Sequence, residues 1–144
     1  MKPSPELVLN QAFAKLALEV GPALPAGYGQ GSVTTTAGLL LMAAQEFNRA
    51  ADIRAKENAA MRRLFGDVTV SIGGKLGEEL KTAAGSRDKD LTITTLDQGN
   101  ASLKTTLIAL QTHAEGARLG AVETRIARLL QEFADARQVF FPIL

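Results

Sequence analysis

The sequence has no cysteine and no tryptophan, and it contains a single histidine among 144 residues. Without cysteine there can be no thiol nucleophile, no disulfide bond and no cysteine-ligated zinc or iron–sulfur site. The histidine is His113, and Leu110 stands three positions before it, so the Glu-x-x-His pairs of di-iron bundles are missing. A Ser–His–acid triad would have to use His113, and no Gly-x-Ser-x-Gly elbow accompanies it. We therefore assign no catalytic residue, no metal ligand and no cofactor.

An excess of charge of either sign and a long apolar run are also missing. The 16 basic and 15 acidic side chains leave a net charge of +1, whereas nucleic-acid-binding proteins normally carry a clustered basic excess. The longest apolar run is Ala37–Ala44, far shorter than the about 20 residues that cross a bilayer. The first residues do not resemble a signal peptide, because Pro3 and Pro5 follow the single lysine there. We expect a soluble cytoplasmic protein that binds neither nucleic acid nor membranes.

Two glycine-rich stretches fall short of nucleotide-binding motifs. The stretch from Gly27 to Gly31 precedes a helical pattern, but no strand pattern comes before it, as a dinucleotide-binding fold requires. Gly73-Gly74-Lys75 is followed by Leu76, where a P-loop needs Ser or Thr to bind magnesium. An anion could still bind at a helix N-terminus after such a loop. A plain connector is the simpler interpretation of both.

Helix-forming residues dominate the chain, and aromatic residues make up only 5% of it. The stretch Ser32–Phe65 contains no proline, and its apolar residues recur at the spacing of one helix face, at Leu40, Ala43, Phe47, Ala51, Met61 and Phe65. We interpret it as one long helix, capped by Ser32 and ended by Gly66. The other segments are then shorter pieces packed around it.

Four further helices are predicted along the chain. Their bounds are Pro5 to about Val20, ended by Gly21-Pro22; Lys75–Gly85; Leu91–Glu115, capped by Asp90 and broken by Gly116; and Arg118 to about Val139. The stretch Asp67–Ile72 has a period of two, but a lone strand cannot satisfy its hydrogen bonds. Unless it pairs with a second chain, we interpret it as an extended connector or an irregular helical turn. The predicted fold is all-α. It is an antiparallel, up-down four-helix bundle with one extra short helix, forming a single domain over residues 1–144.

Polar residues interrupt the apolar face of the long helix near its middle. Glu46 and Glu57 are eleven positions apart and return to nearly the same azimuth at about 100° per residue. Two interpretations are open. The charges form a solvated face with local ion pairs, or the surrounding helices enclose them, in which case they must pair with one another or bind something. In the second case the pocket for a small polar ligand is lined by Glu46, Arg49, Arg54, Glu57 and Asn58.

The long helix outruns its neighbours, and the sequence ends on apolar residues, so we predict a homodimer or larger assembly. The predicted interface residues at that end are Phe140, Phe141, Ile143 and Leu144. The same tail would alternatively fold back and cap its own bundle. The predicted function is a non-catalytic helical binding or interaction protein that self-associates, with a further protein partner of unknown identity also open. The alternative is an enzyme or small-ligand carrier that uses the polar pocket on the central helix.

Overall fold

The computed structural model describes residues 3–141, and 82% of these residues are helical, with no strand among them. The helices are α1 (Pro5–Lys15), α2 (Tyr28–Val68), α3 (Gly74–Gly85), α4 (Ile93–Ala117) and α5 (Gly120–Ala136). The prediction of an all-α protein is confirmed. In the described part of the chain, no helix combines the length and the apolar character needed to cross a membrane.

The first helix does not stop at Gly21-Pro22, as the sequence predicts. It continues from α1 through a π-helical turn, Leu16–Val20, and one further turn, Gly21–Ala23. Pro22 has no N–H to donate, and the wider turn before it accommodates that loss, because the Gly21 N–H bonds to the Leu16 carbonyl. A Cβ on Gly21 would lie 3.1 Å from that carbonyl oxygen, so a residue without a side chain fits this close approach.

The long helix α2 extends beyond the predicted bounds at both ends. It begins at Tyr28 instead of Ser32, directly after Gly27, whose φ of 152° favours glycine. Three successive threonines near its start are accommodated because each hydroxyl donates to the carbonyl four residues earlier, at 3.0, 3.0 and 2.9 Å (Thr34, Thr35 and Thr36). The predicted cap at Ser32 is therefore wrong.

At its other end, α2 passes through Gly66 and finishes at Val68. The turn that follows is closed by backbone bonds from Thr69 N to Phe65 O at 3.1 Å and from Ser71 N to Val68 O at 3.0 Å. The prediction that Gly66 ends the helix is wrong, and the irregular helical turn predicted for Asp67–Ile72 is the interpretation that the structure confirms.

The remaining helices lie close to their predicted bounds, but the residues that cap them differ from the predicted ones. Thr92 is the N-cap of α4 and accepts a bond from Thr95 N, while the predicted cap, Asp90, accepts a 2.8 Å bond from Thr92 N. Gly116 does not break α4, because the helix ends one residue later, where Arg118 adopts a left-handed φ of 54°. The last helix, α5, is shorter at both ends than predicted.

The described chain divides into two compact units. The first unit comprises residues 3–50 with 139–141, and the second unit is 51–138, so that α2 contributes residues to both. The single-domain organisation stays a prediction. The second unit has one apolar core, to which α2, the turn after it, α3, α4 and α5 contribute Met61, Leu64, Phe65, Val68, Ile72, Leu80, Leu103, Leu107, Leu110, Ile126, Leu129 and Phe133.

The first unit is an antiparallel pair made of α1 and the first part of α2. Gln30 near the start of α2 donates to the Gly21 carbonyl at 3.4 Å, and Asn48 farther along α2 donates to the Glu6 carboxylate near the start of α1. Its buried apolar residues are few and mostly alanine: Ala37, Leu41, Ala44 and Ala50. No residue of α1 is buried, and its apolar stripe is half-buried at Leu9, Phe13, Leu16 and Val20.

Candidate functional site

Three polar side chains are buried in the described residues, and all lie in the second unit. They are Glu57 and Asn58 on α2 and Asn100 on α4. Asn100 follows Leu96 by four positions and precedes Leu103 by three, which places it on the inward face of its helix. Burying such groups without partners is costly, so their hydrogen bonds decide what the cluster can do.

The Glu57 carboxylate, 2% exposed, is held by three side chains. Arg137, immediately after α5, donates from Nε to Oε1 at 2.6 Å and from Nη2 to Oε2 at 2.8 Å. Asn100 Nδ2 also donates to Oε2 at 3.0 Å, and Lys104 Nζ lies 3.9 Å from the same oxygen. This two-point guanidinium–carboxylate geometry is among the strongest polar contacts available to a protein.

Burial and bonding act in opposite directions on the pKa of Glu57. Burial raises it, but the hydrogen bonds and charge of Arg137, the bond from Asn100 and the charge of Lys104 together bring the pKa below its usual value. The carboxylate is therefore ionised at neutral pH, and both of its oxygens accept hydrogen bonds. A poor proton acceptor of this kind suits a structural role better than general-base catalysis.

Asn58 links this carboxylate cluster to a second ion pair. Its Oδ1 accepts from Asn100 Nδ2 at 2.9 Å, and its Nδ2 donates to Leu96 O at 3.2 Å and to Asp88 Oδ1 at 3.0 Å. Asp88 in the α3–α4 loop receives two bonds from Arg62, at 2.9 and 2.7 Å, and this arginine lowers the pKa of the Asp88 carboxyl. Five side chains thus form one continuous polar network with Glu57 and Arg137, which we call the buried network: Arg62, Asp88, Asn58, Asn100 and Lys104.

The buried network is closed, since within residues 3–141 no buried side-chain nitrogen or oxygen lacks a hydrogen-bond partner. Gly99 is part of its geometry, because a Cβ there would lie 3.1 Å from Asp88 Oδ1 and 3.4 Å from Asn58 Nδ2. The described residues contain no group of three or more acidic, histidine or cysteine side chains placed to hold a metal ion. The network therefore fixes the positions of α2, the α3–α4 loop, α4 and the end of α5 relative to one another.

The five predicted ligand residues fall in different places. Glu57 and Asn58 belong to the buried network, and Arg54 donates to Asp97 at 2.5 Å with 14% of its own side chain exposed. Glu46 and Arg49 are half-buried in the first unit, where Arg49 Nε donates to the Gln45 carbonyl at 3.2 Å. The ligand pocket stays a prediction.

Sequence reasoning missed the partners of Glu57 and Asn58, which are Asn100, Arg137, Lys104 and Asp88, and it missed Arg62, which pairs with Asp88. A signal for Asn100 was present, because it interrupts the Leu96–Leu103 stripe of α4 in the same way that Glu57 and Asn58 interrupt that of α2. Asp88 lies in a loop, where periodicity carries no information, and Arg137 lies just past the end of α5, although the sequence predicts helix there. An open cleft of about 790 Å³ lies along α3 and α4, and its lining includes Arg62 and Gly99 but neither Glu57 nor Asn58.

A second candidate surface lies on the first unit, where the predicted interface residues Phe140 and Phe141 are found. The main chain of Phe140 and the side chain of Gln45 exchange two hydrogen bonds, at 3.0 and 2.5 Å. A ring carbon of Phe141 lies 4.0 Å from the position of a Cβ on Gly38. The two rings are nevertheless 67% and 62% exposed. Ile143 and Leu144 lie outside the described residues.

Other large apolar side chains of the first unit are exposed as well. On α2, Leu39, Met42 and Phe47 are 60%, 41% and 51% exposed. At about 100° per residue, Leu39 and Met42 point away from the side that carries the buried Ala37, Leu41 and Ala44, and Phe47 lies at the flank of that side. On the first helix and its extension, the exposed apolar residues are Leu7, Val8 and Leu18. We refer to Leu39, Met42 and Phe47 on α2, together with Phe140 and Phe141, as the apolar surface of the first unit.

Comparison with protein-family models, with curated proteins and with solved structures found no match to this chain. Function is therefore inferred from the contacts described above.

Proposed function

We propose that this protein is a non-catalytic helical interaction protein that associates with copies of itself as a homodimer, and that it does so in the cytoplasm. The observation that carries the proposal is the apolar surface of the first unit, where five large side chains are between 41% and 67% exposed: Leu39, Met42, Phe47, Phe140 and Phe141. Exposed apolar patches are typical of interaction sites.

The energetics favour covering this surface. Full burial of a large apolar side chain contributes about 1.5–3 kcal/mol, so each half-exposed side chain contributes about half of this, less the entropy of association and of ordering side chains at the interface. The net charge of +1 leaves little overall repulsion between copies of the chain. Association of the first unit with a second copy would therefore bury side chains that its own fold leaves exposed, and little electrostatic repulsion opposes it.

The buried network supports a non-catalytic role, since its charged groups are engaged with one another. We also propose an up-down, antiparallel order for the helices, because short connections favour antiparallel neighbours, as between α4 and α5. The alternative, an enzyme or ligand carrier built on Glu46, Arg49, Arg54, Glu57 and Asn58, has less support, because Glu57 and Asn58 are both buried and bonded to other side chains. Native mass spectrometry that finds a retained small molecule would favour it.

The test of self-association is light scattering coupled to size-exclusion chromatography over a concentration series. We expect the wild type to have twice the chain mass at high micromolar concentration and Phe47→Glu to have the mass of one chain. Ile108→Glu is the matched control, because Ile108 is 65% exposed on α4 in the second unit and its substitution should leave the assembly unchanged. A wild type that is monomeric throughout the series contradicts the proposal.

A deletion decides between the two roles predicted for the tail. Removing residues 140–144 takes away the exposed rings of Phe140 and Phe141 and the main-chain partner of Gln45. An interface role predicts loss of the dimer with the helical circular dichroism retained. A purely intramolecular cap predicts an unchanged mass with a lower unfolding midpoint.

A further inference from the structure

A cleft of about 290 Å³ lies between the last part of α2 and α5, wholly within the second unit. Each helix contributes four residues to it at the spacing of one helical face, i, i+3, i+4 and i+7. From α2 these are Ala60, Arg63, Leu64 and Asp67, and from α5 they are Arg125, Arg128, Leu129 and Glu132. The cleft therefore follows the seam along which the two helices pack.

Two ion pairs define how the helices run past each other. Asp67 near the end of α2 pairs with Arg125 near the start of α5. Glu57, ten positions earlier on α2, pairs with Arg137 just after α5. The two helices therefore run in opposite directions, and Arg63, between the two ion pairs, lies level with the middle of α5.

The floor of the cleft is apolar, and its walls carry guanidinium groups. Leu64 and Leu129 are only 5% and 8% exposed, whereas Arg63 and Arg128 are exposed. At about 100° per residue, the position before a buried leucine lies at the edge of the inward face of its helix. Arg63 and Arg128 therefore line opposite walls of the cleft, one from each helix.

These two arginines have no counter-ion of their own. Within residues 3–141, neither the Arg63 nor the Arg128 side chain forms a hydrogen bond or an ion pair, whereas Arg125 is paired with Asp67. Glu132 follows Arg128 by four positions, the spacing of a helical ion pair, but the two do not pair. The cleft thus has an excess of positive charge, which an anion would balance.

Guanidinium groups are well suited to oxyanions, because their planar N–H donors match two oxygens of a phosphate or a carboxylate. Two of them on opposite walls can hold one tetrahedral anion from both sides. The volume lies at the lower end of the range for ligand pockets, about 300–1,000 Å³, so the ligand is small. We infer that the cleft is a binding site for a small phosphate-type oxyanion, held by Arg63 and Arg128 above the leucine floor.

The acidic residues of the cleft make the inference sharper. Asp67 is already neutralised by Arg125, whereas Glu132 lies at the opposite end and repels an anion bound between the walls. Removing the Glu132 charge should therefore strengthen binding, while removing the charge of Arg63 should weaken it. The cleft shares no residue with the apolar surface of the first unit, so this inference is independent of the proposed self-association.

Isothermal titration calorimetry with inorganic phosphate tests the site, with the ionic strength held constant by sodium chloride. We expect saturable binding to one site on the full chain. Arg63→Gln and Arg128→Gln should each weaken it at least about tenfold, because each removes a charge-assisted hydrogen-bond donor. Glu132→Gln should strengthen it up to about fivefold, the range of an exposed charge pair.

Glycerol phosphate is a second probe, which distinguishes the free anion from a phosphate carried by a small organic molecule. Tighter binding than that of inorganic phosphate would support a phosphomonoester whose organic part contacts Leu64 and Leu129. Equal or weaker binding would support the free anion as the ligand.

The matched control is Arg87→Gln, which removes the same charge from an exposed position in the α3–α4 loop of the same unit. It should change phosphate affinity less than about twofold, since exposed charges beyond a Debye length are screened. The circular dichroism of every variant should match that of the wild type, because the substituted side chains are exposed. Phosphate binding that does not saturate, or that Arg87→Gln weakens as much as Arg63→Gln and Arg128→Gln do, would overturn the inference.

Discussion

The two units bury their apolar side chains to very different extents. In the second unit, Met61, Phe65, Leu80 and Leu110 are all 0% exposed, and the polar residues among them are bonded to one another. In the first unit no residue of α1 is buried, and the buried positions of α2 are mainly alanine. Both units expose some large apolar side chains, such as Ile108 in the second unit and Phe47 in the first. The difference is that the second unit also buries a core of large side chains, which the first unit lacks.

The difference shows what a helical pattern alone does not specify. Both α1 and α5 carry an apolar stripe, but the spacing in α5 is the more regular of the two. The stripe of α5 is buried at Ile126, Leu129 and Phe133, whereas that of α1 is half-buried. The helices also differ in how much of the chain is available to cover them, because three helices and the end of α2 share one core in the second unit. Periodicity identifies the inward face and leaves open whether anything covers it.

The largest effect is expected from truncating the core of the second unit. Phe65→Ala should lower the free energy of unfolding by about 3–5 kcal/mol, because it opens a cavity where the side chain is 0% exposed. The matched variant Phe47→Ala removes the same ring from a position that is 51% exposed in the first unit, and it should cost under about 1 kcal/mol in the monomer. Urea titration at low protein concentration measures both. Equal losses would contradict the contrast between the units.

The buried network should show an asymmetry between its partners. Arg137→Ala leaves the 2% exposed Glu57 carboxylate with only Asn100 and Lys104, and should cost about 2–3 kcal/mol. Glu57→Gln leaves Arg137, whose side chain is 39% exposed and can turn toward water, and should cost about half as much. The same denaturant titration compares the two variants. A larger loss of stability for Glu57→Gln than for Arg137→Ala would contradict this prediction.

Acidification should reduce the effect of the Arg137 substitution. In the wild type the pKa of Glu57 is lowered, so its contribution to stability is present above about pH 4.3, the usual glutamate value, and is lost as the pH falls through the lowered pKa. In Arg137→Ala the burial of Glu57 is less well opposed, so its pKa rises and protonation relieves the stranded charge at a higher pH. The stability difference between wild type and variant should therefore shrink between pH 7 and pH 4. A constant difference would show that the carboxylate is not charged in the fold.

The smallest effects compare two glycines on α4. Gly99→Ala places a Cβ 3.1 Å from Asp88 Oδ1. This crowding should cancel the stability that alanine usually adds to a helix and lower the free energy of unfolding by up to about 1 kcal/mol. Gly116→Ala meets nothing within 4 Å and should stabilise the protein by up to about 1 kcal/mol. Thermal unfolding of both variants gives the sign of each change. A gain at Gly99 would show that the network readjusts without cost.

Much of the architecture was predictable from the sequence. The all-α class, the long central helix and the short helix after it follow from helix propensity and spacing. Several errors lie at glycines. Gly29 and Gly31 were interpreted as part of a connector, and Gly66 and Gly116 as helix ends, but all four are helical, because packing and local hydrogen bonds outweigh a propensity penalty of about 1 kcal/mol.

The candidate site was predictable only in part. The interruption of an apolar stripe singled out Glu57 and Asn58, and these two are indeed buried. Their partners come from elsewhere in the chain, and Arg137 lies 80 positions after Glu57, directly after the end of α5. Contacts of this kind depend on the tertiary arrangement, which a single sequence does not specify.

We propose that a second copy covers the first unit and that the second unit needs no such cover, and hydrogen exchange as a function of protein concentration tests this most directly. Backbone amides in residues 5–50 should become more protected as the concentration rises from the monomeric to the dimeric range. Amides in residues 61–133 should keep the same protection throughout. Protection that is independent of concentration in the first unit, or that rises equally in both units, would contradict the account.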